Sequence, residues 1–250
     1  MAIIPAPIVA ATGRVAAAGF GAVAGLRHGR AVHTPGCAYG ITVEIRPEFE
    51  AFWGGRTGTG IVRISKGGGF PDPLPDILGV AVRLDLDGRS GRPVDLLGAS
   101  SSAPQGLRHL LVPARRFDRA FFSSLTPYDT PTGLRLYGFH VTSDVRPLTL
   151  DDARRGAAQP VRIGIEVATL SGPWRPAATL VVVAKLPGGE GEELRFNPWN
   201  ATEPFRPVGA FNRVRDAAYL ASQRARRADP RGPQDHVPRV KVGTPTFKSA

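Results

Sequence analysis

Between residues 38 and 46, Tyr39, Ile41, Val43 and Ile45 alternate with smaller or polar residues. This is the period of two that a strand with one buried face requires. Similar patterns recur at 59–65, 79–87, 93–98, 134–141, 161–170, 177–186 and 193–196, which predicts about eight strands. Residues 114–125 carry Phe117, Phe121 and Phe122 at helical spacing and predict a helix between the first four strands and the last four. A stretch rich in Ala, Gly and Val predicts an N-terminal helix over 8–26, and a second long helix is predicted over 208–227. Strands in this number, joined by short connections and without a strand–helix repeat, favour an antiparallel barrel over a doubly wound sheet. The expected fold class is α+β, mainly β: an eight-stranded antiparallel β-barrel with an N-terminal, a mid-chain and a C-terminal helix. The mouth of such a barrel can house a ligand.

Composition narrows this picture. A chain of 250 residues is long enough for one domain with a full core. The expected division is an N-terminal helix over 1–27, a barrel over 28–200, a helix over 201–227 and a tail over 228–250. Thirty glycines and 24 prolines favour many turns over a helical bundle. The formal net charge of +11 suits an anionic partner. Its basic residues are spread along the chain without the runs or aromatic interleaving of nucleic-acid modules, so nucleic acid is not the expected partner. Carboxylate clamps and solubility account for the charge better. The single cysteine, Cys37, excludes an internal disulfide and a CxxC metal site, and is expected as a small buried hydrophobe in a cytoplasmic protein. Pro5, Pro7 and Arg14 interrupt the N-terminal apolar stretch, so no stable membrane insertion is expected.

Two stretches carry candidate chemistry. His33 sits in a Thr-Pro-Gly turn just ahead of the first strand, which would fix the direction of an imidazole able to move a proton near neutral pH. Arg30, three residues earlier, could hold an anionic cofactor group beside it. On the last predicted helix, Arg215, Tyr219, Ser222 and Arg226 recur at intervals of four, three and four and share one face. A phenolate one turn from an arginine is favoured by that cation, which is what a tyrosine needs to bind ferric iron.

These residues resemble the haem catalase superfamily, particularly its short bacterial catalase-like members. Arg30-Ala-Val-His33-Thr-Pro-Gly36-Cys-Ala-Tyr39-Gly40 is similar to the family's distal segment, with His33 on the distal histidine. Arg63-Ile-Ser65, followed by Gly79-Val-Ala-Val-Arg83, is similar to its Arg-x-Ser segment and the glycine-containing strand after it. Arg215-Asp-Ala-Ala-Tyr219 resembles its Arg-x-x-x-Tyr proximal helix, with Arg226 among the trailing arginines. The resemblance spans about residues 28–227. It implies ferric haem b with Tyr219 as axial ligand, Arg215 holding the phenolate anionic, and Ser65 bonded to the catalytic His33. It further implies Arg30, Arg63 and Arg226 on the propionates, with Val32, Phe117 and Ser222 against the cofactor.

Where the family has a distal asparagine, this chain has Ala99, which cannot donate an amide hydrogen bond. Losing one positioned donor costs roughly 2.7 to 4 kcal/mol by analogy with oxyanion-hole deletions. The expected activity is therefore a haem peroxidase rather than a fast catalase, using hydrogen peroxide or an organic hydroperoxide with a small reductant, in a homodimer. Two alternatives stand: an allene oxide synthase-like enzyme acting on fatty acid hydroperoxides, in which threonine precedes the distal histidine where this chain has Val32, and a non-catalytic haem carrier.

Overall fold

The computed structural model describes residues 36–86, 93–143, 148–156, 161–187, 194, 196 and 205–208. Eight antiparallel strands close into a barrel in the order β1-β2-β3-β4-β5-β7-β8-β9. They are β1 (Gly36–Ile45), β2 (Thr57–Lys66), β3 (Leu78–Leu86), β4 (Val94–Ser100), β5 (Phe121–Ser123), β7 (Leu136–Val141), β8 (Arg162–Ala168) and β9 (Arg175–Lys185). A two-stranded ribbon pairs β6 (Tyr128–Asp129) with β10 (Arg206–Pro207). The inner face carries the core: Ile41 and Val43 on β1, Val62 and Ile64 on β2, Val80, Val82 and Leu84 on β3, Phe139 on β7, and Ile163 and Ile165 on β8, all buried. Alternation of these residues with smaller or polar ones is what a closed sheet demands of each strand.

Seven of the predicted strands fall on β1 to β4 and β7 to β9, with boundaries displaced by a few residues. The eighth strand of the barrel comes from a segment predicted as a helix. Residues 114–125 do not form a helix: Ala114 bridges to Asp76, Phe117–Arg119 make one 3₁₀ turn, and Phe121–Ser123 form β5. Phe117 and Phe122 are both buried and stack at 6.1 Å, so their spacing reflects one turn feeding a strand. The described residues of 193–196, Leu194 and Phe196, lie outside any strand. The predicted helix over 8–26 and nearly all of that over 208–227 lie outside the described residues, as do His33, Arg30, Val32, Arg215, Tyr219, Ser222 and Arg226.

Two short helices that periodicity did not reveal close the barrel ends. Helix α1 (Pro47–Trp53) starts with proline in its first turn, where the missing N–H costs nothing, and ends on Gly54 at φ 78°. It delivers Trp53 edge-on to Tyr137 and Phe205, each at 5.9 Å, and Tyr137 packs against Tyr128 at 5.1 Å. The opposite end is plugged by α2 (Leu150–Arg155). Its start is a capping box: the Asp152 amide donates to the Thr149 hydroxyl at 3.1 Å and the Thr149 amide to the Asp152 carboxylate at 3.0 Å. Its last carbonyls are satisfied from the barrel wall, where the Tyr39 hydroxyl donates to Ala153 O at 2.5 Å and Lys185 Nζ to Arg154 O.

Three carboxylates hold this plug. Asp72 accepts from buried Lys66 and, at 3.2 Å, from the Asp151 amide. Asp118 accepts from Arg116 and, at 2.8 Å, from the Leu148 amide. Asp152 completes the capping box. Desolvation pulls the Asp72 and Asp118 carboxyls up, but their hydrogen bonds, led by Lys66 and Arg116 respectively, outweigh it and hold both below the usual carboxylate range. The Thr149 amide and hydroxyl do the same for Asp152. A carboxyl more acidic folded than unfolded contributes stability that is fully present above the unfolded pKa, about 4, and is lost as pH falls through the folded value. Acid below about pH 4 should therefore release the plug first. Amide hydrogen exchange at Leu148, Asp151 and Asp152 is expected to rise on acidification before exchange within β2 and β3, and a simultaneous rise would refute the local role of these carboxylates.

Candidate functional site

Residues paired across antiparallel strands project to the same face, so the register of β1 to β4 defines rows on the outer wall. The upper row is Gly36, Ser65, Gly79 and Ala99, continuing to Ser123 on β5. The next is Ala38, Arg63, Ala81 and Leu97, and the third Gly40, Ile61, Arg83 and Asp95. With strands about 4.8 Å apart and about 3.4 Å of rise per residue, the three rows make a platform about 14 Å wide and about 13 Å tall. Gly36, Gly79 and Ala99 leave the upper row without bulky side chains, while Arg63, Leu97, Ile61 and Arg83 stand on the rows below.

Gly36, Ser65, Gly79 and Ala99 are half-buried, and Ser123 is fully buried. A Cβ on Gly79 would come within 2.9 Å of Ser65 Oγ, and one on Gly36 within 2.7 Å of the Arg63 guanidinium. Glycine at both positions gives these two polar groups room on the wall. The lower rows are covered in part by Leu186, Leu194 and Phe196, which pack with Ala38, Ile61, Ala81 and Leu97. The Arg83 guanidinium lies 5.2 Å from the centre of the Phe196 ring.

At the base of the platform, Arg83 and Asp95 form a two-pronged ion pair, Nε to Oδ1 at 2.7 Å and Nη2 to Oδ2 at 2.8 Å. Their exposures are 1% and 0%. No motif names this pair, although both residues stand at outward positions of adjacent strands. The signal was available in the alternation: a charge in each of two strands at positions that antiparallel pairing brings opposite.

Of the residues named from sequence, Ser65 and Arg63 are brought together on this wall, with Ala99 one strand beyond Gly79. Phe117 is not; it sits 1% exposed inside the barrel against Phe122. The hydroxyl of Ser100 is occupied: it donates to Val112 O at 2.7 Å and accepts from the Leu78 amide at 3.0 Å. Ser123, beside Ala99, accepts from the Leu125 amide at 3.1 Å. Ser100 is therefore taken up, whereas Ser101, the next outward position after Ala99, has a buried hydroxyl without a hydrogen-bond partner. Cys37 is buried, as expected; desolvation raises its thiol pKa against the lowering influence of Lys185, Arg154 and Arg63. Among the described residues no cluster of His, Cys, Asp and Glu could hold a metal ion, and no helix is long and apolar enough to cross a membrane. No protein-family model matches the sequence, and no curated protein matches it.

The electrostatic base of the platform is directly testable. Removing one partner of a fully buried pair leaves an uncompensated charge and costs roughly 3 to 5 kcal/mol. Asp95→Ala is expected to lower stability by about that much in urea unfolding, whereas Arg83→Met combined with Asp95→Leu should recover most of the loss. A single variant as stable as the parent would remove the pair from the structural account.

Proposed function

We propose that the chain is a haem-dependent peroxidase of the catalase-like type, with the outer wall of β1 to β4 as the distal side of its cofactor site. The observation that carries this reading is the upper row, in which Ser65 and Ala99, 34 positions apart in the sequence, flank Gly79 on one face. These are the positions at which the resemblance puts the distal serine and the distal asparagine. A planar macrocycle needs a wall without protruding side chains, and Gly36, Gly79 and Ala99 of the upper row offer that. Arg63, at the platform's edge above Gly36, suits a carboxylate on the ring periphery, since a guanidinium pairs with carboxylate in a fixed fork. The described residues thus fit haem on the distal side; the proximal ligand, Tyr219, comes from the resemblance.

Bound haem supplies two-electron reduction of a peroxide O–O bond, the electrons being restored by a small reductant. In this reading His33 takes the proton from the near oxygen of hydrogen peroxide or an organic hydroperoxide and delivers it to the departing oxygen. Ser65 orients the imidazole through a hydrogen bond. Arg215 keeps the Tyr219 phenol ionised, and Arg30 and Arg226 join Arg63 in holding the carboxylates. Ala99 contributes no donor, so a second peroxide is polarised poorly and dismutation is slow.

Titration of the apoprotein with haem b should give a saturable Soret band that Tyr219→Phe loses. Gly79→Leu, which raises a side chain on the platform, should lose it as well while the protein stays folded by circular dichroism. Full haem binding in both variants would refute the site.

His33→Ala should leave haem bound and slow peroxide cleavage by roughly two to four orders of magnitude, the usual contribution of a positioned proton shuttle. Ala99→Asn should raise oxygen evolution from hydrogen peroxide. Peroxide cleavage as fast in His33→Ala as in the parent would leave a haem carrier as the better reading.

A further inference from the structure

The barrel holds a second space, on the inner side of the same strands. A cavity of about 50 Å³ lies beneath α2. Val62, Ile64, Val80, Phe122, Phe139 and Ile163 line its walls, and Leu148 and Ala153 close it from the plug. His140 enters the lining between Phe139 and Val141, but its ring stacks on Phe121 on the outer side of the wall.

The volume is several times the ~10–15 Å³ that one water needs, yet a water also needs two to four polar partners. The polar side chain facing the space is Tyr39, and its hydroxyl donates to Ala153 O at 2.5 Å. Burial and the neighbouring Cys37 keep that phenol neutral by raising its pKa. The remaining surface is methyl groups and aromatic rings. Such a space stays dry, and atoms lining a dry void lack dispersion partners on one side. An apolar occupant restores those contacts. The volume is well below the ~150 Å³ of a cavity that admits benzene, which limits the occupant to about two heavy atoms by proportion.

We infer that the barrel interior is a binding site for one small apolar molecule, of the size of xenon, dioxygen or a two-carbon hydrocarbon, and that α2 is its gate. The gate follows from the placement of the anchors. Leu148 and Ala153 face the cavity, and the segment bearing them is tied down by single hydrogen bonds from Tyr39 and Lys185 and by the Asp72 and Asp118 carboxylates. The walls of the cavity are paired strands, whose opening would break many ladder bonds at once. The inference does not depend on haem, because the cavity and the outer platform lie on opposite faces of the wall.

Xenon is the probe. The full chain, titrated in solution and followed by ¹²⁹Xe NMR, should give a saturable shift, and crystals pressurised with xenon should show it between Val80, Phe139 and Ala153. Ala153→Leu adds three carbons from the plug and should abolish both signals. Val62→Ile adds one carbon from the wall and should weaken them, which keeps the inference testable if the leucine variant does not fold. Tyr39→Phe retains the ring and removes the tether to α2, so xenon should still bind and should exchange faster. Ordered water in the cavity, xenon found only elsewhere, or undiminished binding in folded Ala153→Leu would overturn the site. Unchanged exchange in Tyr39→Phe would overturn the gate.

Discussion

Closure of the sheet is the constraint from which the rest follows. Strand β1 pairs with β2 on one side and β9 on the other, so the barrel has no free edge, and each strand's register is fixed from both sides. A slip of one residue would turn every inward side chain outward, and here it would put Arg83 and Asp95 into the apolar interior. That alternative is far higher in energy than the native register, because burying an unpaired charge costs several kcal/mol after relaxation. The same parity that keeps Val80 and Val82 inside holds Gly79 and Ala81 outside. Core and platform are therefore two readings of one alternation, and neither can shift without the other.

The paired charges on the outer wall serve this specificity more than they serve stability. A buried ion pair contributes little net free energy against a well-packed apolar replacement, since desolvation of both groups offsets their attraction. What the pair does supply is direction. Arg83 and Asp95 lie opposite each other in the β3–β4 register, and the Phe196 ring covers the guanidinium. An arrangement that separated them would leave two charges without compensation.

Much of the barrel was legible in the sequence because period two is a local signal: Tyr39, Ile41, Val43 and Ile45 announce β1 without help from elsewhere. The segment 114–125 was misread for a physical reason. Phe117, Phe121 and Phe122 are spaced as a helix face would be, yet the 3₁₀ turn at 117–119 changes the chain's direction before β5 begins. Three residues of strand are too few to show a period. Helices α1 and α2 escaped for a related reason, since seven and six residues span at most two turns. For the site, Ser65 and Arg63 were found by motif, and register then put them on one wall with Ala99. Phe117 entered by resemblance and lies on the other side of that wall. The Arg83–Asp95 pair was readable only after the strands had been paired.

The two ends of the barrel are closed by different physics, and this makes them respond differently to conditions. At the α1 end Trp53, Tyr128, Tyr137 and Phe205 are buried against one another, and such contacts depend on temperature and cosolvent far more than on pH. At the α2 end Leu148, Leu150 and Ala153 are also buried, and closure further depends on hydrogen bonds accepted by the Asp72 and Asp118 carboxylates and donated by the Tyr39 hydroxyl, which are directional and few. An aromatic cluster weakens gradually as its rings move apart, whereas a helix held by a handful of polar tethers opens when a small number of them break. With α2 as the gate we infer, the route into the interior runs past it, and the aromatic end forms the floor on the far side.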